Sequence, residues 1–271
     1  MAISLASIKK ETSVRAPRIV LIGCEKIGKT TFACGSRFED GVLVETGLNS
    51  PVVIPMKGEE GADSLDVAKF PTVDTYDDLI GSLKALAEED HEYKAAVLDS
   101  ASALHPLIID DVCAEFTVRN IRKVPGFRTG EAAVMNRWRR ILDTLDYLRN
   151  EKNMMSILIG HAKVRKFKNP EGDDFDQYEL DVEHADIGEL IKRWADLILF
   201  ANTKVVVKIE GEDHGVVRAK RRGQDSYQGQ RFLFTQKKPA HPGGGRGVYG
   251  RLPYELPLDW AAFENAVAAA L

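Results

Sequence analysis

The stretch Arg18-Ile19-Val20-Leu21-Ile22-Gly23-Cys24-Glu25-Lys26-Ile27-Gly28-Lys29-Thr30-Thr31 decides the fold. Its apolar first half predicts a buried strand, its glycines a loop, and the residues behind them a helix. Glycines at the two ends of such a loop let the backbone curl until its N–H groups point inward at phosphate oxygens. The sequence therefore predicts a phosphate-binding loop made of Gly23, Cys24, Glu25, Lys26, Ile27, Gly28, Lys29, Thr30 and Thr31.

The residue types at the end of this loop favour ATP and Mg²⁺ as its ligands. Lys29 would place a cation on the β- and γ-phosphates, and the Thr30 hydroxyl would bind the metal ion that bridges them. Asp99 lies at the end of another apolar run, Lys94-Ala95-Ala96-Val97-Leu98-Asp99-Ser100, where a carboxylate can hold the water shell of the same ion. The alternative for Asp99 or Ser100 is the N-cap of a following helix.

Hydrolysis also requires a group that orients or deprotonates water. Glu45 ends the apolar run that follows the phosphate-loop helix and is our first candidate, although an acid at a strand end is often only solvated. His161 ends a further strand and could sense the γ-phosphate; an ordinary hydrogen-bonded histidine explains it equally well. Arg246 lies in a glycine-rich loop and could reach the γ-phosphate of a neighbouring subunit, with Lys237 and Lys238 as alternatives.

Composition limits the class of protein. The 271 residues are 44% hydrophobic and 29% charged, with a formal net charge of −4, which argues against a protein that coats nucleic acid indiscriminately. Three cysteines without metal-ligand spacing suit a reducing cytoplasm. We expect residues 1–16 to be a mobile tail and neither a signal peptide nor a membrane anchor.

The order of the apolar runs predicts an α/β fold with a mostly parallel central sheet, flanking helices and antiparallel C-terminal strands. We expect Pro51–Pro55 to be an edge strand because of its prolines, followed by a polar loop to Asp66 and a capped helix from Thr75. Residues 205–209 and 216–219 predict a hairpin. The expected division is a tail (1–16), a core (17–202) and a C-terminal β extension with a short helix (203–271).

Two basic stretches are candidate contacts for single-stranded nucleic acid. The first stretch, residues 163–168, interleaves cations with an aromatic ring, which suits phosphate neutralisation and base stacking. Alternatively, it is a solvated basic loop whose charge is neutralised by Asp173, Asp174 and Asp176. The other surrounds a Pro-Gly turn. Their residues are Lys163, Arg165, Lys166, Phe167 and Lys168 in the first, and Arg119, Arg122, Lys123 and Arg128 in the second.

Several of these segments together resemble the phage RecA-like P-loop ATPases of the Sak-type single-strand annealing group. The resemblance is carried by the phosphate loop, by Ala96-Val97-Leu98-Asp99-Ser100, by Ile157-Leu158-Ile159-Gly160-His161-Ala162-Lys163, by Trp194-Ala195-Asp196, and by Gly245-Arg246-Gly247 with Arg251-Leu252-Pro253.

The resemblance implies a RecA-like core that binds single-stranded DNA and assists strand annealing or recombination in the bacterial host cytoplasm. It also implies a homo-oligomer, as a ring or filament, and a single-strand binding protein as a further partner. Such chains usually carry Asp-x-Glu at a strand end, whereas this chain has Glu45-Thr46-Gly47. Either Glu45 reaches the site from a shifted register or hydrolysis is slow.

Two other functions share the phosphate loop. A nucleoside or nucleotide kinase would need an arginine-rich lid, which the segment from Arg119 to Arg128 could supply. A regulatory ATP-binding module that loads a helicase would bind ATP without stimulation by DNA.

Overall fold

A ten-stranded mixed sheet organises the chain, in the order β14-β12-β9-β1-β7-β6-β4-β5, with β13 paired to β9 and β8 to β7. The computed structural model describes residues 15–39, 42–45, 51–210, 220–225 and 229–271. The strands are β1 Arg18–Gly23, β2 Ser36–Glu39, β3 Val42–Glu45, β4 Pro51–Pro55, β5 Ala68–Lys69, β6 Ala95–Asp99, β7 Met155–Phe167, β8 Phe175–Leu180, β9 Leu197–Thr203, β10 Val205–Glu210, β11 Lys220–Asp225, β12 Arg231–Phe234, β13 Gly244–Gly245 and β14 Glu255–Pro257. The helices are α1 Lys29–Ala33, α2 Tyr76–Glu88, α3 Ala101–Glu115, α4 Thr129–Lys152, α5 Ala185–Trp194 and α6 Trp260–Ala270.

The centre of the sheet is parallel, and its C-terminal side is antiparallel. Strand β1 lies between β7 and β9 and is parallel to both. Strand β12 runs antiparallel to β9 and to β14, so its first residue lies at the edge where the parallel strands end. The predicted fold class is confirmed.

Alternating side chains of the strands pack on the two faces of the sheet, as the pleat requires. Val20 and Ile22 belong to the cluster that packs against α2, α3, α4 and α5. Ile19 and Leu21 belong to the opposite cluster, together with Phe32 of α1 and Trp260 of α6. Both faces are therefore covered, which explains why β1 is apolar at every central position.

Local signals placed the helices correctly. Thr75 caps α2 with a capping box, in which its side chain accepts from the Asp78 N–H and the Asp78 side chain accepts from the Thr75 N–H. Helix α4 buries Trp138 and a row of aliphatic side chains at helical spacing. These contacts hold the helical layer against one face of the sheet.

The prediction that β4 is an edge strand is wrong. Strand β4 is fully buried and pairs in parallel with β6 on one side and with the two-residue strand β5 on the other. Its prolines occupy the first and last positions, so the three residues between them keep their N–H groups for the ladders.

Two other strand assignments also differ from the expectation. Strand β3 pairs with β2 in a separate two-stranded sheet and does not join the main one. Strand β10 is paired with Lys220–Asp225, whereas the predicted partner at 216–219 lies outside the described residues. The antiparallel strands that extend the main sheet are β12, β13 and β14.

The basic run after His161 is a strand and not a loop. Strand β7 continues past the end of β1 to Phe167 and there pairs antiparallel with β8. Of the expected tail, residues 1–14 lie outside the described part of the chain. No helix among the described residues combines the length and hydropathy needed to cross a bilayer.

Candidate functional site

The phosphate loop connects β1 to α1 at the edge where the parallel strands end. Gly23 pairs with His161 of β7 and with Ala201 of β9, and a Cβ at position 23 would lie 2.6 Å from the Ala201 carbonyl oxygen. Gly28 precedes α1 with φ of 101°, in the left-handed region. Both glycines are thus required, the first by close approach and the second by its backbone conformation.

Lys29 is buried inside this loop. Its Nζ donates to the carbonyl oxygens of Gly23 at 3.1 Å and Cys24 at 2.8 Å, and it lies 3.4 Å from His161 Nδ1. Burial lowers the pKa of Lys29, while the Asp99 and Glu59 carboxylates act in the opposite direction. The two carbonyl oxygens therefore hold the ammonium group inside the phosphate loop.

Thr30 and Asp99 come together as the sequence predicted. The Thr30 hydroxyl donates to Asp99 Oδ2 at 2.6 Å. Burial raises the pKa of Asp99, with the hydroxyl of Thr30 acting against it. Ser100, and not Asp99, caps the following helix by accepting from the Ala103 N–H. The Asp99 carboxylate is therefore not used as a helix cap and contacts the phosphate loop through Thr30.

A carboxylate that the sequence analysis missed, Glu59, completes this cluster. Its Oε1 lies 2.8 Å from His161 Nε2 and 2.5 Å from the Ser100 hydroxyl that donates to it. Burial would raise the pKa of Glu59, but the hydrogen bonds from His161 and Ser100 outweigh it and lower the pKa. Glu59 is thus ionised at neutral pH and is held beside His161.

The same edge carries a cavity of about 620 Å³, lined among others by Lys29, Thr30, Glu59, Asp99, His161 and Arg231. Arg231 of β12 is the second residue that the sequence analysis missed. Its Nη1 donates to the Ile27 carbonyl oxygen at 3.3 Å. A volume in the range typical of small-molecule sites, lined by converging cations and carboxylates, can hold a charged ligand.

Oxygen donors and a buried lysine fit the ligands that the loop implies. Hydroxyl and carboxylate oxygens are preferred by Mg²⁺, and Thr30 with Asp99 supplies both. Lys29 supplies the cation for phosphate oxygens. Bound Mg²⁺ would neutralise phosphate charge and polarise the phosphoryl group.

Neither Glu45 nor Arg246 has a described contact with this cavity. The role predicted for Glu45 depended on its strand joining the main sheet, whereas β3 lies in the separate β2–β3 sheet, and its side chain is outside the described set. Arg246 contacts Asp196 and the Arg193 carbonyl, beside the start of β9. That is the edge opposite the phosphate loop, so Arg246 does not contact the site of its own chain.

The cations after His161 alternate along β7. Lys163 pairs with Asp181 at 3.1 Å and Lys166 with Asp174 at 3.7 Å. Arg165 donates to the Val182 carbonyl, and the ring of Phe167 lies 5.0 Å from that of Phe175, measured between centroids. The predicted cluster is thus split over two faces of a hairpin, and two of its cations face carboxylates.

The second basic stretch has a different environment. We call it the basic turn, Arg119–Arg128; it contains a short 3-10 helix, Ile121–Lys123. Arg119, Arg122 and Lys123 are exposed and form no ion pair with described residues, whereas Arg128 pairs with Glu131 and Asp186. The Phe127 side chain, which the sequence analysis did not single out, is 95% exposed.

A family model described as AAA domain matches residues 15–247. Among solved structures, the chain is similar to one titled "Crystal structure of the RadB recombinase", with 13% sequence identity and a TM-score of 0.38, covering 81% of this chain and 88% of that one. A search of curated proteins finds no match.

Proposed function

The chain belongs to the AAA domain family, and on that premise we propose that it is a RecA-like ATPase that hydrolyses Mg²⁺–ATP and binds single-stranded DNA. The observation that carries the proposal is the meeting of Lys29, Thr30, Asp99 and Glu59 around one cavity at the end of the parallel strands. These side chains come from three separate segments of the chain. Their convergence supports a nucleotide site over a fortuitous glycine turn.

Nucleotide binding would replace the internal bonds of Lys29. Its ammonium group donates to two loop carbonyls, and phosphate oxygens would offer it charged acceptors instead, so that each hydrogen bond is also an ion pair. Thr30 and Asp99 would hold the metal ion by their oxygens. The loop backbone would bind the phosphate chain through its N–H groups.

We assign the activation of water to Glu59. Its carboxylate is ionised, and Oε1 accepts from Ser100 while it lies against His161 Nε2, so Oε2 is left as an acceptor for a water proton. No described residue donates to Oε2. His161 lies between Glu59 and Lys29 and would transmit the presence of a γ-phosphate to both.

The basic turn is our first candidate for the DNA contact, and the β7–β8 hairpin is the second. Arg119, Arg122 and Lys123 have no carboxylate partner among the described residues, so they can neutralise phosphates at little cost, and the exposed ring of Phe127 offers a surface for base stacking. The likeness to the annealing group supports a role in phage strand annealing or recombination. A homo-oligomer, in which Arg246 reaches a neighbouring site, belongs to the same proposal.

The first experiment measures nucleotide binding by calorimetry in the presence of Mg²⁺. Lys29→Ala should abolish tight ATP binding and leave the fold intact, because it removes the phosphate cation without touching the two core clusters. Lys84→Ala, on the exposed face of α2, is the matched control and should bind as the unchanged protein does. Equal ATP affinity in Lys29→Ala and the control would refute the site.

The second experiment measures phosphate release with and without an unstructured single-stranded oligonucleotide. Phosphate release that DNA stimulates, and that Glu59→Gln abolishes, would support the proposed ATPase. Transfer of the γ-phosphate to a nucleoside acceptor would identify a kinase instead. ATP binding without DNA-stimulated release would favour a helicase-loading module.

A further inference from the structure

We propose that Arg231 is a nucleotide-binding residue whose guanidinium contacts the phosphate chain of the bound nucleotide. The inference rests on the proposed function and adds a second cation to the site, carried by the C-terminal part of the same chain. Arg231 lines the same cavity as Lys29 and Thr30.

The topology of the sheet brings Arg231 to this edge. It is the first residue of β12, which runs antiparallel to β9, and it pairs with Thr203 where β9 ends. Strand β9 lies beside β1, whose last residue Gly23 begins the phosphate loop. The Arg231 carbonyl also accepts from the Leu258 N–H at 3.0 Å. The backbone at Arg231 is thus fixed on both sides, and only its side chain is free to adjust.

The guanidinium has little to bind in the absence of a ligand. Its described hydrogen bond is one long contact of 3.3 Å to the Ile27 carbonyl, and no described carboxylate lies within ion-pairing distance. A planar guanidinium offers five N–H donors and suits bidentate binding of phosphate oxygens. A solvent-exposed cation with unused donors beside a phosphate loop is chemically matched to a polyphosphate.

Gly28 provides the space for this approach. A Cβ at position 28 would lie 2.9 Å from Arg231 Nη1. The absence of a side chain there lets the guanidinium lie directly against the loop. Arg231 would therefore approach the phosphate chain beside Gly28.

The test compares Mg²⁺–ATP with Mg²⁺–triphosphate, the inorganic chain without ribose or base, by calorimetry. Arg231→Ala should raise the Kd for both by about 10- to 100-fold, as expected for a lost hydrogen bond to a charged group. Arg231→Lys keeps the charge but not the planar fork and should recover part of the loss. Arg231 is exposed, so the variant should unfold at the same temperature as the unchanged protein without nucleotide.

Arg251→Ala is the matched control. Arg251 is also an exposed arginine, and its Nη1 donates to a carbonyl oxygen, that of Ala270, at 3.4 Å. It should bind both ligands normally. Unchanged Kd values in Arg231→Ala, with Lys29→Ala still defective, would overturn this inference and leave the proposed function standing. A loss for ATP but not for triphosphate would also overturn it, because the contact would then be to ribose or base.

Discussion

Acidification should destabilise the protein through His105, a buried histidine of α3 that contacts Trp138 of α4. Its Nδ1 lies 3.1 Å from Trp138 Nε1, which can only donate, so the neutral ring carries its proton on Nε2. That Nε2 has no described hydrogen-bond partner. Burial, with a smaller contribution from His184, lowers the pKa of His105 to about 4 from 6.5. Glu183 and Asp181 act in the opposite direction.

The magnitude follows from this pKa difference. The unfolded chain binds the proton near pH 6.5 and the folded chain only near pH 4, so this stability is present above pH 6.5 and is lost as the pH falls towards 4. At about 1.36 kcal/mol per pKa unit, the full loss is about 3 kcal/mol, and about 2 kcal/mol of it is lost by pH 5.

Urea unfolding of the wild-type protein and of His105→Asn, at pH 7.5 and pH 5, isolates the effect. The asparagine side chain would keep an oxygen for the Trp138 N–H but would not titrate, so the variant should lose about 2 kcal/mol less than the wild type between the two pH values. Acids elsewhere titrate in both proteins and cancel in the comparison. Equal losses in the two proteins would refute the reasoning.

Three further predictions follow from particular contacts. Asp99→Asn should impair phosphate release more than ATP binding, because the amide keeps the size of the side chain but loses its charge on the metal; equal release by both proteins would exclude the metal role. Gly23→Ala should cost about 1–3 kcal/mol in urea unfolding, since its Cβ would lie 2.6 Å from the Ala201 oxygen, whereas Gly81→Ala, with open space in α2, should stabilise by about 0.5–1 kcal/mol. The last prediction holds if the β7–β8 hairpin contacts single-stranded DNA through the face that carries Phe167. Alanines at Lys163 and Arg165, the two cations of that face, should then reduce the log–log salt slope of binding by about 1.4. Alanines at Lys166 and Lys168, on the other face, should leave the slope unchanged.

The phosphate loop and Asp99 could be predicted because each is marked by its own local sequence. A glycine pattern behind an apolar run, or an acid at the end of one, is visible without knowledge of the sheet order. In a parallel sheet the carboxyl ends of the strands share one edge, so the two signals implied a common site. The hydrogen bond from Thr30 to Asp99 shows that the two segments do meet at this edge.

The assignment of the water-activating acid was harder to predict, because it depends on which strand enters the sheet. Glu45 follows a run that reads as a strand, and it is one, but that strand pairs with β2 outside the main sheet. Glu59 follows β4, which the flanking prolines made look peripheral, although β4 lies directly beside β6. An acid soon after an apolar run, as in Gly58-Glu59-Glu60-Gly61, could have indicated Glu59. It was missed because the two prolines led us to expect an edge strand.

Arg231 shows why the cavity could not be assembled from local patterns alone. More than two hundred positions of sequence separate it from Ile27, whose carbonyl it contacts. The contact exists because β12 reverses direction against β9, which brings the start of a C-terminal strand to the edge where the N-terminal strand ends. A parallel β12 in the same place would have put its first residue at the opposite edge, where Arg246 lies beside Asp196. Strand direction therefore decides which arginine of the C-terminal region belongs to the phosphate loop of its own chain.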